Sequence, residues 1–147
     1  MMGELSAREI DELLRAEILG RIGCVANGWP YIVPVTYVYD GESVYAHSGE
    51  GMKLRAMRHE PLVCFEVEQI RSMSNWRTAL LRGRYEELFS DEEERALQLL
   101  VTRLARVETS ASARLTSQED IHRREGVHRP ILFRIRIEDR TGRFELI

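Results

Sequence analysis

The sequence predicts a mainly β domain of the α+β class, with about six antiparallel strands that can close into a small barrel and helices packed outside it. The chain has 147 residues and no linker rich in Pro, Gly or Ser, which fits one domain over residues 1–147. Strand-like apolar runs are joined by Asn27-Gly28 and Asp40-Gly41, dipeptides that favour hairpin turns. Few helical stretches separate these runs, which favours antiparallel pairing and allows a barrel.

The first element is a helix over residues 6–17. Ser6 and Glu9 have the spacing of a capping box, in which each side chain bonds the backbone amide of the other residue. Leu5 and Ile10 occupy the two positions of a hydrophobic staple. An apolar stripe continues from Ile10 at helical spacing, so one face of the helix is expected to be buried.

Three strands are expected next, over residues 21–26, 31–39 and 43–48, arranged as a meander. Pro34 lies in the middle strand and has no N–H to donate to a ladder. The middle strand is therefore expected at an edge of the sheet, or locally opened there.

A short helix and two further strands follow. The helix, over residues 51–59, is expected to end before Pro61, because a residue that precedes proline disfavours helical geometry. The strands cover residues 62–69 and 76–89, and Gly83 interrupts the second one, which indicates a bulge.

The last third of the chain predicts helices and a final strand. Ser90 and Glu93 have the spacing of another capping box, before an apolar stripe. A short helix is expected over residues 117–124. Residues 131–139 alternate apolar and charged side chains, as a half-buried strand does, and residues 142–147 extend the sheet.

Charge and composition disfavour several classes of protein. The net charge is −3, from 21 basic and 24 acidic residues, which favours neither nucleic acid nor an anionic membrane as partner. No apolar run approaches a membrane span, and the N-terminus has no apolar signal core, so we expect a cytoplasmic protein. Cys24 and Cys64 have no zinc spacing and are expected to be core residues without a disulfide.

Familiar catalytic motifs are missing from the sequence. There is no G-x-S-x-G nucleophile elbow, and GEGMK at residues 49–53 lacks the spacing and the ending of a Walker loop. His122 and His128 lie six residues apart without the further ligands that a metal usually needs, so no metal site is expected. Hydrolase and NTPase functions are therefore disfavoured.

Lys53 is the residue that the motif GEGMK singles out. Gly49 and Gly51 let the backbone approach an anion closely, and the helix start behind them offers free N–H groups. The lysine adds a positive charge at the same place. Spacing alone leaves two interpretations open, an anion site and a solvated lysine on a short helix.

Four stretches carry a resemblance to a known family. They are GWPYIVPVTYVYDGESVYAHS, GMKLRAMRHEPLVCFEV, NWRTALLRGRYEEL and LFRIRIEDRTGRFE, and they occur in this order over most of residues 18–147. The chain resembles the FMN-binding split-barrel superfamily, which includes pyridoxamine 5′-phosphate oxidase, and is nearest to the branch related to nitroimidazole-resistance proteins. The resemblance implies a six-stranded split β-barrel and a homodimer, with FMN bound in grooves at the subunit interface.

The resemblance also implies which residues contact the flavin. They belong to the first long hairpin, the next strand, the start of the short helix and the following long strand. These residues are Val33, Pro34, Val35, Thr36, Ala46, His47, Ser48, Met52, Lys53 and Thr78. In the family, the lysine after the strand grips the flavin phosphate. Trp76 and Arg77 complete the expected set, since an aromatic residue there can cover the flavin or the dimer interface, or can pack in the core.

Two departures from the oxidase pattern affect the expected function. Val33 and Met52 stand where the oxidase has arginines, and the C-terminal substrate-binding residues of the oxidase have no match here. The leading hypothesis is therefore an FMN-dependent oxidoreductase that acts on a small molecule, not specifically on pyridoxamine phosphate. The alternatives are a non-catalytic module that binds flavin, deazaflavin or haem, and an interaction protein with an empty barrel.

Overall fold

The computed structural model describes residues 1–105, 107 and 129–147, which include eight strands and three helices. In chain order they are β1 (Met2–Glu4), α1 (Ala7–Ala16), β2 (Leu19–Ala26), β3 (Trp29–Thr36), β4 (Val38–Tyr39), β5 (Ser43–Ser48), α2 (Met52–His59), β6 (Leu62–Ser72), β7 (Asn75–Glu87), α3 (Ser90–Leu104) and β8 (Ile131–Leu146). The helix expected over residues 117–124 lies outside the described residues. Among those that are described, no helix combines the length and hydropathy needed to cross a membrane.

All eight strands belong to one antiparallel sheet, in the order β3-β2-β6-β7-β8-β5-β4, and β1 also pairs with β8. The two edge strands of this order, β3 and β4, are consecutive in the chain and separated only by Tyr37. The two ends of the sheet must therefore meet at Tyr37, so the sheet curls into a barrel. The barrel is open between β3, which pairs with β2, and β5, which pairs with β4. The predicted split barrel is confirmed, with β1 and β4 as two short strands beyond the six expected.

Tyr37 fixes the seam between the two edges. Its ring is fully buried, its hydroxyl donates to the Leu14 carbonyl oxygen at 2.7 Å, and its amide donates to the Ile18 carbonyl oxygen at 2.9 Å. The predicted meander was wrong at this point. The strand expected over residues 31–39 divides here, and its first half pairs with β2 while its second half pairs with β5. The expectation that Pro34 lies on an edge strand is confirmed.

Helix α1 begins as its sequence predicts. The Ser6 amide donates to Glu9 Oε1 at 3.0 Å, and the Glu9 amide donates to Ser6 Oγ at 3.2 Å, which is a complete capping box. Ile10, Leu13 and Leu14 are buried in the barrel core. The local cap and the apolar stripe together place α1 on the barrel.

The capping box predicted at Ser90 was wrong. Phe89 is the N-cap of α3 without a side-chain hydrogen bond, and Ser90 is the first helical residue, with φ of 55°. An N-cap needs extended backbone to aim its hydroxyl at the amide of the third helical residue, and Ser90 does not have it. The acidic first turn still favours the helix dipole, and α3 buries Leu97 and Leu100 in a second cluster outside the barrel core.

The irregularity predicted at Gly83 is present, but the extra residue is on the other strand. Arg82 pairs with Asp139 and Gly83 with Ile137, so Glu138 of β8 is left over. A Cβ on Gly83 would collide with the backbone carbonyl oxygen of the facing strand. The glycine is therefore required by this close approach.

Candidate functional site

Three of the four predicted site segments surround the gap where the barrel splits. Val38 of β4 pairs with Tyr45 of β5, and a continued ladder would set Thr36 opposite His47. Instead β3 turns away at Tyr37 and pairs with β2. The β3 residues 33–36 and the β5 residues 46–48 consequently flank the gap, and α2 begins four residues after β5 and packs on β2.

The side chains of these strands divide between the core and the outside. Val35 and Ala46 are buried in the barrel core, so they can offer only backbone atoms to a ligand. Pro34 alternates with Val35 and is exposed, and Thr36 is half-buried on the same outer face as Pro34. Within the predicted β3 set, Pro34 and Thr36 are the side chains available to a bound molecule.

Lys53 is a half-buried cation at the start of α2. Burial lowers the pKa of its ammonium group, and the thiol of Cys24 opposes this effect. No described carboxylate lies within 4 Å of Nζ. The first turn of α2 contains no acidic residue, and its N-cap, Gly51, supplies no side-chain hydrogen bond. An anion at this position would meet an uncompensated charge and free amides.

Arg58, one turn further along α2, is the opposite case. Its guanidinium donates to both oxygens of Glu50, at 3.0 and 2.7 Å, and to Glu87 Oε1 at 2.8 Å. These carboxylates raise the pKa of Arg58, and Arg58 in turn lowers the pKa of Glu50. Arg58 therefore ties the glycine-containing loop before α2 to the sheet and is occupied, whereas Lys53 is not.

Lys53 is also the chain's single lysine, beside twenty arginines. This signal is already present in the sequence. All the remaining Lys and Arg positions are arginine, and the one lysine is at a half-buried helix start. This distribution favours an anion site at Lys53 over a solvated lysine.

An apolar groove of about 760 Å³ crosses the outer face of β3, β2, β6 and β7. Its lining includes Gly23, Val25, Ile32, Leu62 and Cys64, and the side chains of Ile32 and Leu62 are 70% and 59% exposed. A Cβ on Gly23 would lie 2.5 Å from Cys64 Sγ, so a side chain at this position would clash with Cys64, and the glycine leaves this part of the groove open. Exposed apolar patches of this kind mark binding or association surfaces.

Sequence reasoning missed this groove. The pattern that could have revealed it is Trp29-Pro30-Tyr31-Ile32, in which apolar residues occupy both faces of one strand. Because paired residues project to the same face, Cys64 points outward opposite Gly23, while Cys24 points into the core. The two free thiols therefore lie on opposite faces of the sheet.

Charged groups border the groove. Arg21 bonds Glu68 at 3.0 Å and lies 3.6 Å from Glu66 Oε1, an atom that has no hydrogen-bond partner. Burial and the neighbouring Glu68 raise the pKa of Glu66. On the other side, Arg82 pairs with Asp139 at 2.6 Å. The apolar floor thus has a charged rim.

The fourth predicted segment, Trp76 to Thr78, lies away from the gap between β3 and β5. Trp76 Nε1 donates to Glu145 Oε2 at 3.1 Å, and Arg77 Nε donates to Gln69 Oε1 at 3.0 Å. Ala46 pairs with a β8 residue that pairs in turn with Glu87, at the opposite end of β7 from Trp76. A single chain does not bring this segment next to residues 46–48, and its role stays a prediction.

The outer face nevertheless connects Thr78 with β3. Pro34 and Leu80 share one row of the sheet, because Arg21 and Glu66 pair between them. Thr78 lies two residues from Leu80 and therefore projects to the same outer face. Strands lie roughly 5 Å apart, so this row spans about 15 Å.

His122 and His128, at which no metal site is expected from the sequence, lie outside the described residues. In the part of the chain that the structure does describe, no group of three His, Cys, Asp or Glu residues is arranged to hold a metal ion.

Comparison with known proteins identifies the family. A family model described as pyridoxamine 5′-phosphate oxidase matches residues 6–144. The chain belongs to the pyridoxamine 5′-phosphate oxidase family. The resemblance predicted from four stretches of sequence is therefore confirmed.

Individual relatives agree with membership of the pyridoxamine 5′-phosphate oxidase family. The uncharacterized protein RA0666 of Rhizobium meliloti (strain 1021) is 34% identical over 84 residues, which span 57% of this chain and 56% of that protein. The crystal structure of an FAD-binding protein from Mesorhizobium loti has 30% identity and a TM-score of 0.74, with 98% of each chain covered. A Bacteroides thetaiotaomicron protein named for 5-nitroimidazole antibiotic resistance has a TM-score of 0.75 at 18% identity, covering 98% of this chain and 87% of that one, and so shares the fold.

Proposed function

We propose that this protein is a flavoprotein that binds FMN, or the FMN unit of a larger flavin, and that acts as an oxidoreductase on a small molecule. The observation that carries the proposal is Lys53, a half-buried ammonium group without a carboxylate partner among the described residues, at the start of α2. The Mesorhizobium loti relative is named an FAD-binding protein, which supports a flavin as the ligand.

The phosphate of the flavin is proposed to bind at Lys53. A phosphate monoester carries up to two negative charges and three acceptor oxygens, so it can bond the ammonium group and the free amides of α2 together. His47 and Ser48 end β5 next to this position and offer further polar groups. Met52 supplies no charge, so Lys53 and the backbone would hold the phosphate without the arginine that the oxidase has at this position.

The isoalloxazine ring is proposed to lie against the outer face of the barrel, between two copies of the chain. The apolar groove leaves Ile32 and Leu62 exposed, and a second copy packed on this face would remove them from water. Pro34, Thr36 and Thr78 share the same face and would contact the ring from either copy. This arrangement gives the predicted homodimer and would bring residues 76–78 of one copy toward the flavin of the other.

The flavin, when bound, supplies the hydride or electron transfer chemistry. The residues of this chain bind the phosphate, orient the ring and exclude water from the groove. Since arginine is absent at positions 33 and 52, pyridoxamine phosphate is not proposed as the substrate, and a small aromatic or nitro-heterocyclic compound is.

An absorbance spectrum of the purified protein tests the proposal. We expect a yellow protein whose flavin is released on denaturation and, in the released form, is identified by chromatography. Anaerobic reduction of the bound flavin by a nicotinamide donor is expected for an oxidoreductase. Bound flavin that no donor reduces would favour a non-catalytic carrier or sensor, and a colourless protein that takes up neither FMN nor FAD would overturn flavin binding altogether.

A further inference from the structure

Three charged side chains lie together at the centre of the outer face of the sheet. Arg21 of β2 is opposite Glu66 of β6, and Glu68 lies two residues further along β6 on the same face. Arg21 Nη1 donates to Glu68 Oε1 at 3.0 Å and lies 3.6 Å from Glu66 Oε1. This central cluster has one cation and two carboxyl groups, so it carries one excess negative charge when both carboxyl groups are ionised.

One oxygen of the central cluster lacks a hydrogen-bond donor. Glu66 Oε1 is buried and has no partner among the described residues. The residue opposite Glu66 on β7 is Leu80, whose side chain has no donor to offer. A buried carboxylate oxygen without a donor is costly, whereas a proton on Glu66 removes the charge and creates an O–H group that can bond Glu68.

The strands and helix packed against β6 do not neutralise the excess charge. On β7, the guanidinium group of Arg82 is already bonded to Asp139 at 2.6 Å. On β6 itself, the neighbouring titratable group is the thiol of Cys64, whose Sγ contacts the Gly23 carbonyl oxygen. Helix α1 packs on the inner face of β6, so its groups do not face the cluster. Among the described residues, Arg21 is therefore the one cation that serves both carboxyl groups.

Exposed apolar side chains surround the central cluster. Ile32 and Leu62 lie on the side of the groove, Leu80 lies beside the cluster on β7, and Leu19 lies two residues from Arg21 on β2. These four side chains are between 47% and 70% exposed. A second copy that covers them would also remove water from the charged centre.

A second copy of the chain on this face would bring two central clusters into one interface. In a two-fold dimer the same patch belongs to the interface of both subunits. Two excess negative charges that lose their water would repel each other. One proton on each cluster leaves the guanidinium group with a single carboxylate, so each cluster becomes neutral. Burial and Glu68 already raise the pKa of Glu66 in the single chain, which favours the same protonated state.

We propose that association of two copies through the outer face is coupled to the binding of one proton by each central cluster. The inference rests on the proposed function, since that function takes a second copy to cover this face. Exclusion of water raises the pKa of the cluster further in the dimer than in the free chain. Association is therefore strongest at a pH below both pKa values and weakens as pH rises through them. The proton concentration then regulates the interface that is proposed to hold the flavin.

Sedimentation equilibrium of the full chain at pH 5.5, 7 and 8.5 tests the coupling. We expect the dimer to dissociate at least tenfold more readily at pH 8.5 than at pH 5.5. The steepest possible change is about 100-fold for each pH unit, because each dimer would bind two protons.

Two variants assign the effect to the central cluster. Glu66→Gln replaces the carboxylate with a neutral amide of similar size, which can also donate to Glu68. Its dissociation constant should stay within twofold over the whole pH range, near the wild-type value at pH 5.5. Glu68→Gln should give the same result, since it also leaves one carboxylate for Arg21. The matched control is Glu12→Gln, which removes an exposed carboxylate of α1 and should keep the wild-type pH dependence.

The outcomes separate this inference from the proposed function. A wild-type dimer whose dissociation constant does not change with pH, or that resists dilution at every pH, would overturn the proton coupling and leave the dimer intact. Variants at Glu66 and Glu68 that both keep the wild-type pH dependence would also overturn it. A chain that is monomeric at every pH would refute the proposed homodimer as well, and flavin absorbance of the same samples would show whether flavin binding remains.

Discussion

Replacing Lys53 with methionine removes one charge and keeps most of the aliphatic stem, so it isolates the role of the ammonium group. A hydrogen bond to a charged group contributes about 1.5–3 kcal/mol. Because Lys53 is half-buried and partly screened by solvent, we take the lower part of this range, about 1.5–2 kcal/mol. The expected loss of FMN affinity for Lys53→Met is therefore roughly 10- to 30-fold.

Riboflavin is the control ligand, since it has the ring and ribityl chain of FMN but no phosphate. Titration calorimetry of both ligands against wild type and Lys53→Met forms a cycle that isolates the pairing of lysine with phosphate. We expect the riboflavin affinity to stay within twofold. A variant that loses FMN and riboflavin affinity equally, or neither, would refute the assignment of the phosphate to Lys53.

In the unliganded protein, Lys53→Met should not lower the free energy of unfolding, although it lowers the affinity for FMN. Burial lowers the pKa of Lys53, so the folded state disfavours the charged form. This cost is fully present below the folded pKa and is relieved as pH rises through the pKa of the unfolded chain. At pH 7, Lys53→Met without ligand is therefore expected to be at least as stable as wild type in urea unfolding, which separates a binding defect from a folding defect.

Amine-reactive labelling offers a second assay for the same residue. Lys53 is the single lysine, so the reagent has only this side chain and the N-terminal amine to modify. Mass spectrometry should show that FMN protects Lys53 and that riboflavin protects it less. The N-terminal amine, which donates to the Leu146 carbonyl oxygen at 2.8 Å, serves as the internal reference.

Two further predictions concern stability. Ser6→Ala should lower the free energy of unfolding by about 0.5–2 kcal/mol because it removes the cap of α1. Ser90→Ala should have little effect, because Ser90 does not cap α3. Urea denaturation compares the two variants, and equal losses would show that Ser90 caps α3 after all. Glu66→Gln should raise the melting temperature above the folded pKa of Glu66, because burial and Glu68 make the charged carboxylate costly there. Since the folded pKa is raised above the unfolded value, the gain should shrink as pH falls below the folded pKa and vanish as pH falls through the unfolded pKa. A gain that persists unchanged at pH 4 would show that charge is not its cause.

Elements that depend on neighbouring residues were predictable from the sequence. The α1 cap, the end of α2 before Pro61 and the hairpin at Asn27-Gly28 each depend on a few adjacent residues, and all three are present. Ser90 shows the limit of such signals, since the same spacing of Ser and Glu is compatible with a helix whose cap is Phe89.

Features that depend on register were not predictable. The seam at Tyr37 arises because β3 finds its partner in β2 and β4 finds its partner in β5, a choice made by strands distant in sequence. The outer groove exists only when Ile32, Gly23 and Cys64 fall in one row, and no local pattern sets that row. For the site, sequence could identify Lys53 as a cation, but burial and the absence of a described carboxylate partner required the structure.

The seam at Tyr37 also restricts how this protein can associate. An exposed strand edge is a template for adding strands from another molecule. Here β4 has two residues, and β3 carries Pro30 and Pro34 at positions of the same parity, so both nitrogens without a hydrogen face the free edge. Neither of these two edges offers a continuous row of donors, which disfavours strand addition at β3 and β4 and leaves the faces of the sheet as the surfaces for association.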